Sequence, residues 1–343
     1  MKNKTISNAL KNLILSKDNK FSILLNYAGA FIKTPFSFPP KVIQVEPSAV
    51  CNLKCQMCTL NKSTNPNKFL TAKNLAIILD KFKVSSVNLT GMGEILLNPY
   101  FEDLIKVCSD KKIKYSFITN IQLLNQKHLQ AIKKYPPTSI SVSMESGLTQ
   151  KYNSVRQGAS LSTTLTKIKT LADYINKNSL STQLIINIVF LDFNLKDIKH
   201  IKKIINIAAS FKINKISSQN INILSAYVKK LYKTKKIEKI FDEIKQYSIK
   251  KNIEIIFPPT QISKGKCYYP WVYPQITASG EILPCCVIPQ FGNYDQIVKK
   301  YSFGNIINQP LNSVWNGIKA TRFRKKYQQD SYCQHCTKNQ GIL

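Results

Sequence analysis

The chain has 343 residues, 43% hydrophobic and 10% aromatic, which excludes a disordered or fibrous protein and allows one large core with a smaller appended domain. Its 50 Lys+Arg against 18 Asp+Glu give a formal net charge of +32, a field that attracts nucleic acid, anionic lipid or a phosphorylated substrate. The lysines are spread over nearly every polar helix face and the chain is rich in Ile, Asn and Lys, so most of the charge reads as compositional bias rather than a dedicated polyanion site.

Residues 1–40 read as a helical extension. Lysines followed by the apolar run 21–32 imitate a signal peptide, but Asn26 interrupts the run and its 12 residues are too few to span a bilayer. A helix packed on the core is expected, with a surface-lying membrane helix the lesser reading. Seven of the nine Cys fall in tight or patterned groups. That usage suits metal ligation in a reducing compartment, so a cytoplasmic location is expected.

After Pro39-Pro40, strand-like runs at 42–46, 87–89, 115–119, 139–144, 184–191 and 215–223 alternate with amphipathic helical patterns. The helices are predicted near 72–83, 98–111, 125–134, 162–178 and 195–211, with a last one at 226–250. This alternation predicts an α/β fold, a parallel sheet covered by helices, with ligands at the C-terminal strand ends. Directly after the first strand stands Cys51-Asn52-Leu53-Lys54-Cys55-Gln56-Met57-Cys58. About 0.006 copies of such a C-x3-C-x2-C spacing are expected by chance. Three thiolates this close can hold one face of an iron–sulfur cubane and leave the fourth iron open to a reactant. Structural zinc would want a fourth ligand nearby, and no Cys or His lies between Cys58 and Cys108.

The second strand leads into Thr90-Gly91-Met92-Gly93-Glu94, where two glycines permit close backbone approach to a ligand and the carboxylate can accept from an ammonium group. The third ends at Thr119-Asn120, and the fourth in Ser141-Val142-Ser143-Met144-Glu145-Ser146-Gly147, whose alternating polar side chains can bond ribose hydroxyls. Arg156, in Tyr152-Asn153-Ser154-Val155-Arg156-Gln157-Gly158, can pair with a carboxylate as a bidentate fork. Asn187 and Asn194 flank the end of the fifth strand and read as wall residues. Cys108, in a stripe with Leu104, Ile105 and Val107, reads as a buried thiol; His128 and His200, on Lys-rich helices, read as solvated.

From about Pro258 the chain changes character. Segments 275–278 and 281–283 around Ser279-Gly280 predict a hairpin that returns Cys285 toward Cys267. Gly304-Asn305-Ile306, Trp315-Asn316-Gly317 and Arg322 follow, and then Cys333-Gln334-His335-Cys336, a chelate pair that can close a four-thiolate site, for zinc or for a cluster.

These motifs resemble those of the radical S-adenosylmethionine (SAM) enzymes, over about residues 41–338. The resemblance implies a partial (β/α)6 TIM-like barrel at 41–257 and a SPASM/twitch-like auxiliary iron–sulfur domain at 258–343. It makes Cys51, Cys55 and Cys58 the ligands of a SAM-binding 4Fe–4S cluster. Met57, Gly91, Met92, Gly93, Glu94, Asn120, Ser143, Glu145 and Arg156 become cofactor-binding positions, with Glu94 toward the SAM amino group and Arg156 toward its carboxylate. Two positions depart from the family pattern: Ile95 stands where Pro often follows the Glu, and Glu145 where Asp is usual. Cys267, Cys285, Cys333 and Cys336 are implied to ligate a second, auxiliary 4Fe–4S cluster, zinc being the structural alternative. Cys286 is the spare, a packing thiol on the plain reading and a hydrogen-atom donor on the sharper one.

The implied activity is reductive cleavage of SAM to a 5′-deoxyadenosyl radical that takes a hydrogen atom from substrate, fed by a reducing partner such as flavodoxin or ferredoxin. The double Cys and single-cluster tail resemble members acting on a small polar substrate, a sugar or nucleoside sugar, which the charge allows to be anionic. The alternative is a peptide maturase; the roughly 40 residues before the barrel weigh against its usual N-terminal recognition domain. An RNA-modifying enzyme comes third. A cluster-bearing electron carrier would cleave no SAM.

Overall fold

The computed structural model describes residues 20–62, 69–221, 225–260, 267–334 and 336. Among these residues nine strands form one sheet: β1 (Val42–Val45), β2 (Ser86–Leu89), β3 (Lys114–Thr119), β4 (Ser139–Ser143), β5 (Gln183–Phe190), β6 (Lys215–Asn220), β7 (Glu254–Ile256), β8 (Gln275–Ile276) and β9 (Ile282–Leu283). Their order is β7-β6-β5-β4-β3-β2-β1-β8-β9, with β1 to β8 parallel to their neighbours and β9 antiparallel to β8.

The six expected strands are present. The last ends at Asn220, and 222–224 lie outside the described residues, as do 1–19 of the N-terminal extension. Two expected helices are each divided, into Asp192–Lys196 with Lys199–Ser210 and Ala226–Lys233 with Lys236–Ile249. Lys235 takes a left-handed conformation at φ 56° between the latter pair, which ends one helix and starts another. The sequence pattern did not disclose β7, whose three residues have a burial pattern too mixed to read, nor the pairing of β8 with β1.

Side chains alternate across the strands. Ile43, Val45, Val87, Leu89, Phe117, Ile140 and Val142 are buried in the main hydrophobic core. On the other face Gln44 pairs in register with Asn88, Asn88 with Ser116, and Ser116 with Ser139, a polar row across four strands. A closed TIM barrel fills its interior with branched apolar residues. Here the interior face is polar and borders a cavity touched by Gln44 of β1 and Gln219 of β6 alike. In a flat sheet those strands would stand roughly 24 Å apart, so the sheet curls into a partial barrel.

The helix Lys20–Ile32 packs through Ala30 on Trp271 and Tyr327. Asn26, which breaks its apolar run, is buried and bonds the backbone of Phe38 in both directions, at 2.9 and 2.8 Å. Among the described residues no helix is long and apolar enough to cross a membrane. The Trp315-Asn316-Gly317 motif is a clamp on this N-terminal segment: Trp315 Nε1 donates to the Phe38 carbonyl at 3.1 Å, and Asn316 accepts from the Ser37 N–H at 3.0 Å.

Arg322, picked out by the sequence pattern, is exposed. The buried cation is Arg324, 4.3 Å over the Trp315 ring and donating to the carbonyls of Pro35, Pro270 and Trp315. Burial pulls its guanidinium down to about 9. A lysine cannot reproduce that fork. Arg324→Lys is therefore expected to lower unfolding free energy by about 3 kcal/mol in urea titrations.

Candidate active site

A cavity of about 270 Å³ opens at the C-terminal ends of the parallel strands. Cys51, Cys55, Met57 and Cys58 line one side, with Gly91, Met92, Gly93 and Glu94 beside them. Asn120, Ser143, Arg156, Asn187 and Gln219 continue the wall, and Gln44, Gln275, Cys286 and Gln290 complete it. A larger recess of about 950 Å³, between Ala49, Tyr294 and Gly317, is lined by none of the cysteines; the chemistry lies with the smaller one.

The cysteine loop is pinned by its backbone. Lys54 and Gln56 donate N–H groups to the carbonyls of Gln157 and Val155, both at 2.9 Å, and Gly158 (φ +92°) permits the close pass under Leu53. Cys51 Sγ accepts from the Leu53 N–H at 3.4 Å and from Asn120 Nδ2 at 3.7 Å. Burial pushes the Cys51 thiol up to about 12 and raises Cys55 as well. Such thiols keep their protons until a metal displaces them. Three soft sulfurs on one wall, with Cys51 held by two hydrogen bonds, suit a cluster with one open iron.

The strap from Gly91 to Glu94 runs along the segment leading to Cys51. Gly93 donates to the Ser48 carbonyl at 3.1 Å and Glu94 to the Val50 carbonyl at 2.8 Å. A Cβ on Gly93 would lie 2.1 Å from Ser48 O, and one on Gly91 would lie 2.3 Å from Glu46 Cγ. Glu94 accepts from the N–H groups of Leu96 (3.0 Å) and Asn120 (2.7 Å) and from the Thr119 hydroxyl (2.6 Å), although burial raises its carboxyl. With Oε1 holding two of these donors and Oε2 one, a lone pair remains for a further donor. Ile95, where the family pattern has Pro, is fully buried and opens the short helical turn Ile95–Leu97 that Glu94 caps.

Three expectations need correcting. Glu145 does not line the cavity; it is buried and takes Arg156 as a bidentate partner, Nε to Oε2 at 2.5 Å and Nη2 to Oε1 at 2.8 Å. The longer side chain reaches the guanidinium, so part of the fork expected for a ligand carboxylate is occupied by the protein. Asn194 is also turned away from the cavity, donating to the carbonyls of Glu145 and Val189. His200 is buried rather than solvated, its Nδ1 at 2.8 Å from Ser146 Oγ.

Cys267, Cys285, Cys333 and Cys336 line a second pocket with Tyr269, Phe291 and Phe323. Cys285 lines this pocket and Cys286, at a bend just past β9, lines the cavity. Burial and its neighbouring thiols raise Cys285 well above the usual range. Among the described residues no three His, Cys, Asp or Glu are grouped tightly enough to hold a single metal ion.

Sequence reasoning missed Gln44, Glu46, Gln275 and Tyr294. Glu46, fully buried, accepts from the Met92 N–H (2.8 Å), the Ala278 N–H (3.4 Å) and the Tyr294 hydroxyl. The available signal was polar residues at alternate positions in Val42-Ile43-Gln44-Val45-Glu46.

Residues 45–205 match the radical SAM superfamily, and residues 267–337 match the SPASM iron–sulfur cluster-binding domain. The chain is 24% identical over 301 residues to the antilisterial bacteriocin subtilosin biosynthesis protein AlbA of Bacillus subtilis (strain 168), covering 84% of this chain and 62% of AlbA. Among solved structures it resembles Streptococcus suis SuiB bound to S-adenosylmethionine, with TM-score 0.69 and 20% identity over 99% of this chain and 83% of SuiB. SuiB bound to precursor peptide SuiA gives TM-score 0.68 and 20% identity over 95% and 78% of the two chains. Native anSMEcpe with bound AdoMet gives 0.60 and 15% over 87% and 89%.

Glu145→Gln strands Arg156 as a buried unpaired cation, so a stability loss of about 3–5 kcal/mol is expected in urea unfolding, largely recovered when Arg156→Met is added. Gly93→Ala, whose Cβ meets backbone, is expected to lower the iron bound per chain after anaerobic reconstitution.

Proposed function

Because the chain belongs to the radical SAM superfamily and carries a C-terminal SPASM cluster-binding domain, we propose that it is an enzyme that modifies a peptide. What carries this reading is the likeness, across 84% of the chain, to a protein named for biosynthesis of the bacteriocin subtilosin. The fold shared with a structure described as bound to its precursor peptide, over 95% of this chain, supports it. The sugar-like substrate rests on the paired cysteines, the single-cluster tail and the short segment before the barrel. Among the described residues Arg156 is the only Lys or Arg lining the cavity, and Glu145 already engages it.

Cys51, Cys55 and Cys58 would hold the SAM-binding 4Fe–4S cluster that the superfamily implies, and Cys267, Cys285, Cys333 and Cys336 the auxiliary one. Bound together, cluster and SAM supply a 5′-deoxyadenosyl radical that takes a hydrogen atom from the substrate. The protein's part is orientation. Glu94 offers its remaining lone pair to the SAM ammonium, and Arg156 its remaining N–H groups to the carboxylate. Met57, Met92, Asn120 and Ser143 fill the wall around them. The Cys286 thiol stands at the same wall, where returning a hydrogen atom to a substrate radical would require it. A barrel at 41–257, a cluster domain at 258–343 and an extension at 1–40 describe the division of labour we assign. A cytoplasmic flavodoxin or ferredoxin would be the reductant.

Protein reconstituted anaerobically is expected to bind about eight irons per chain and, with dithionite and SAM, to release 5′-deoxyadenosine, which Cys51→Ala abolishes. A short peptide encoded beside the gene should stimulate that release and change mass; nucleotide sugars should do neither. Stimulation by a nucleotide sugar alone would overturn the peptide reading.

A further inference from the structure

We infer that Gln275 is the group that recognises substrate in the cavity, and that it does so by donating its side-chain N–H to a carbonyl oxygen, the acceptor of a peptide bond. The inference rests on the peptide reading for the source of the carbonyl, and on geometry for the donor.

The geometry is a directional chain of hydrogen bonds across the polar face of the sheet. Ser116 Oγ donates to Asn88 Oδ1, and Asn88 Nδ2 donates to the Tyr273 hydroxyl. The Tyr273 hydroxyl donates to Gln44 Oε1 at 3.5 Å, and Gln44 Nε2 donates to Gln275 Oε1 at 3.2 Å. Each member spends a donor on the next, so all the acceptors along the line are used. The line ends at Gln275 Nε2, which is buried and, among the described residues, has no hydrogen-bond partner. Gln275 is 1% exposed and lines the cavity.

A buried N–H without a partner costs about 1–3 kcal/mol. Its natural remedy is an acceptor delivered by whatever fills the cavity, and the polarised chain behind it strengthens the bond it can make. The chain is held from both sides: Gln275 and Gln44 are register partners on β8 and β1, and Asn88 neighbours Gln44 on β2. The acceptor is uncharged for a reason on the same wall. Gln44, Gln219, Gln275, Gln290 and Asn187 are amides, and among the described residues the cavity's one cation, Arg156, is already paired with Glu145.

The test needs no variant in its first arm. Crystals of cluster-loaded enzyme with SAM are soaked with N-methylacetamide, a single peptide bond, or with inorganic phosphate. The expected result is the N-methylacetamide oxygen within hydrogen-bond distance of Gln275 Nε2. Phosphate on Gln275, an amide presenting its N–H to Gln275 Oε1, or SAM itself taking Nε2 would each overturn the assignment, as would no amide at all. In the second arm the gene-neighbour peptide is turned over by wild type and by Gln275→Glu, which keeps the acceptor for Gln44 and removes the outward donor. The peptide KM is expected to rise roughly tenfold with kcat within about twofold; an unchanged KM refutes the role. If wild type does not turn the peptide over, the peptide reading falls, while the soaks still decide whether Gln275 binds a carbonyl.

Discussion

The molecule depends on β1 having neighbours on both sides. β2 lies along one edge and β8, which arrives some 230 residues later in the chain, along the other. At the end of this strand Glu46 is fully buried and receives one donor from each flank: the Met92 N–H from the strap after β2 and the Ala278 N–H from the segment after β8. Tyr294, in the helix Tyr294–Tyr301, supplies a third. Burying a carboxylate is costly unless its lone pairs are met, and this one is met by two separate parts of the chain. Gly91 is obligatory there because any side chain would occupy the space of Glu46 itself. The strap beside the cysteine loop and the cluster-binding domain are thus set relative to each other through a single carboxylate.

That arrangement explains why so many site residues bond one another. Glu94 is held by Leu96, Thr119 and Asn120, and Asn120 in turn reaches Cys51 Sγ and Asn52 Oδ1. Arg156 is locked by Glu145, while the backbone of Val155 and Gln157 beside it pins the cysteine loop. A site whose side chains already have partners loses little conformational freedom when a cofactor arrives. The separation of Cys285 and Cys286 shows the same economy of backbone: one dipeptide just past β9 serves two pockets.

Much of this was legible in the sequence, and the divide has a physical basis. The cysteine spacing, the Gly-x-Gly-Glu strap and the parallel strands are local patterns, and each falls where its pattern places it. What the sequence concealed are pairings across long separations. Nothing local to Gln275 says that it will lie beside Gln44, and nothing local to Tyr294 points to Glu46. Glu145 was misread for a related cause. Taken as a polar residue at a strand end it points to a ligand, but its extra methylene lets it satisfy Arg156, eleven residues on. Arg322 and Arg324 both follow the Trp-Asn-Gly motif, and only the tertiary position of the Trp315 ring selects Arg324 for burial.

The net charge of +32 and the cavity point to different partners, and the cavity is the better guide to substrate. Several lysines sit in exposed ion pairs such as Lys106–Asp110 and Lys169–Asp173, where solvent screens them. Over the Debye length of about 8 Å at physiological ionic strength their field steers encounters and little more. Recognition requires groups that touch the ligand in a desolvated place. There the wall presents amides, hydroxyls and thiols, with Arg156 and Glu94 both already bonded within the protein. Among the described residues an anionic sugar phosphate would find one cation on that wall, Arg156, and Glu145 already engages it. A peptide bond would bring a neutral acceptor and donor, both of which the amides of Gln44, Gln219 and Gln275 are of a kind to meet.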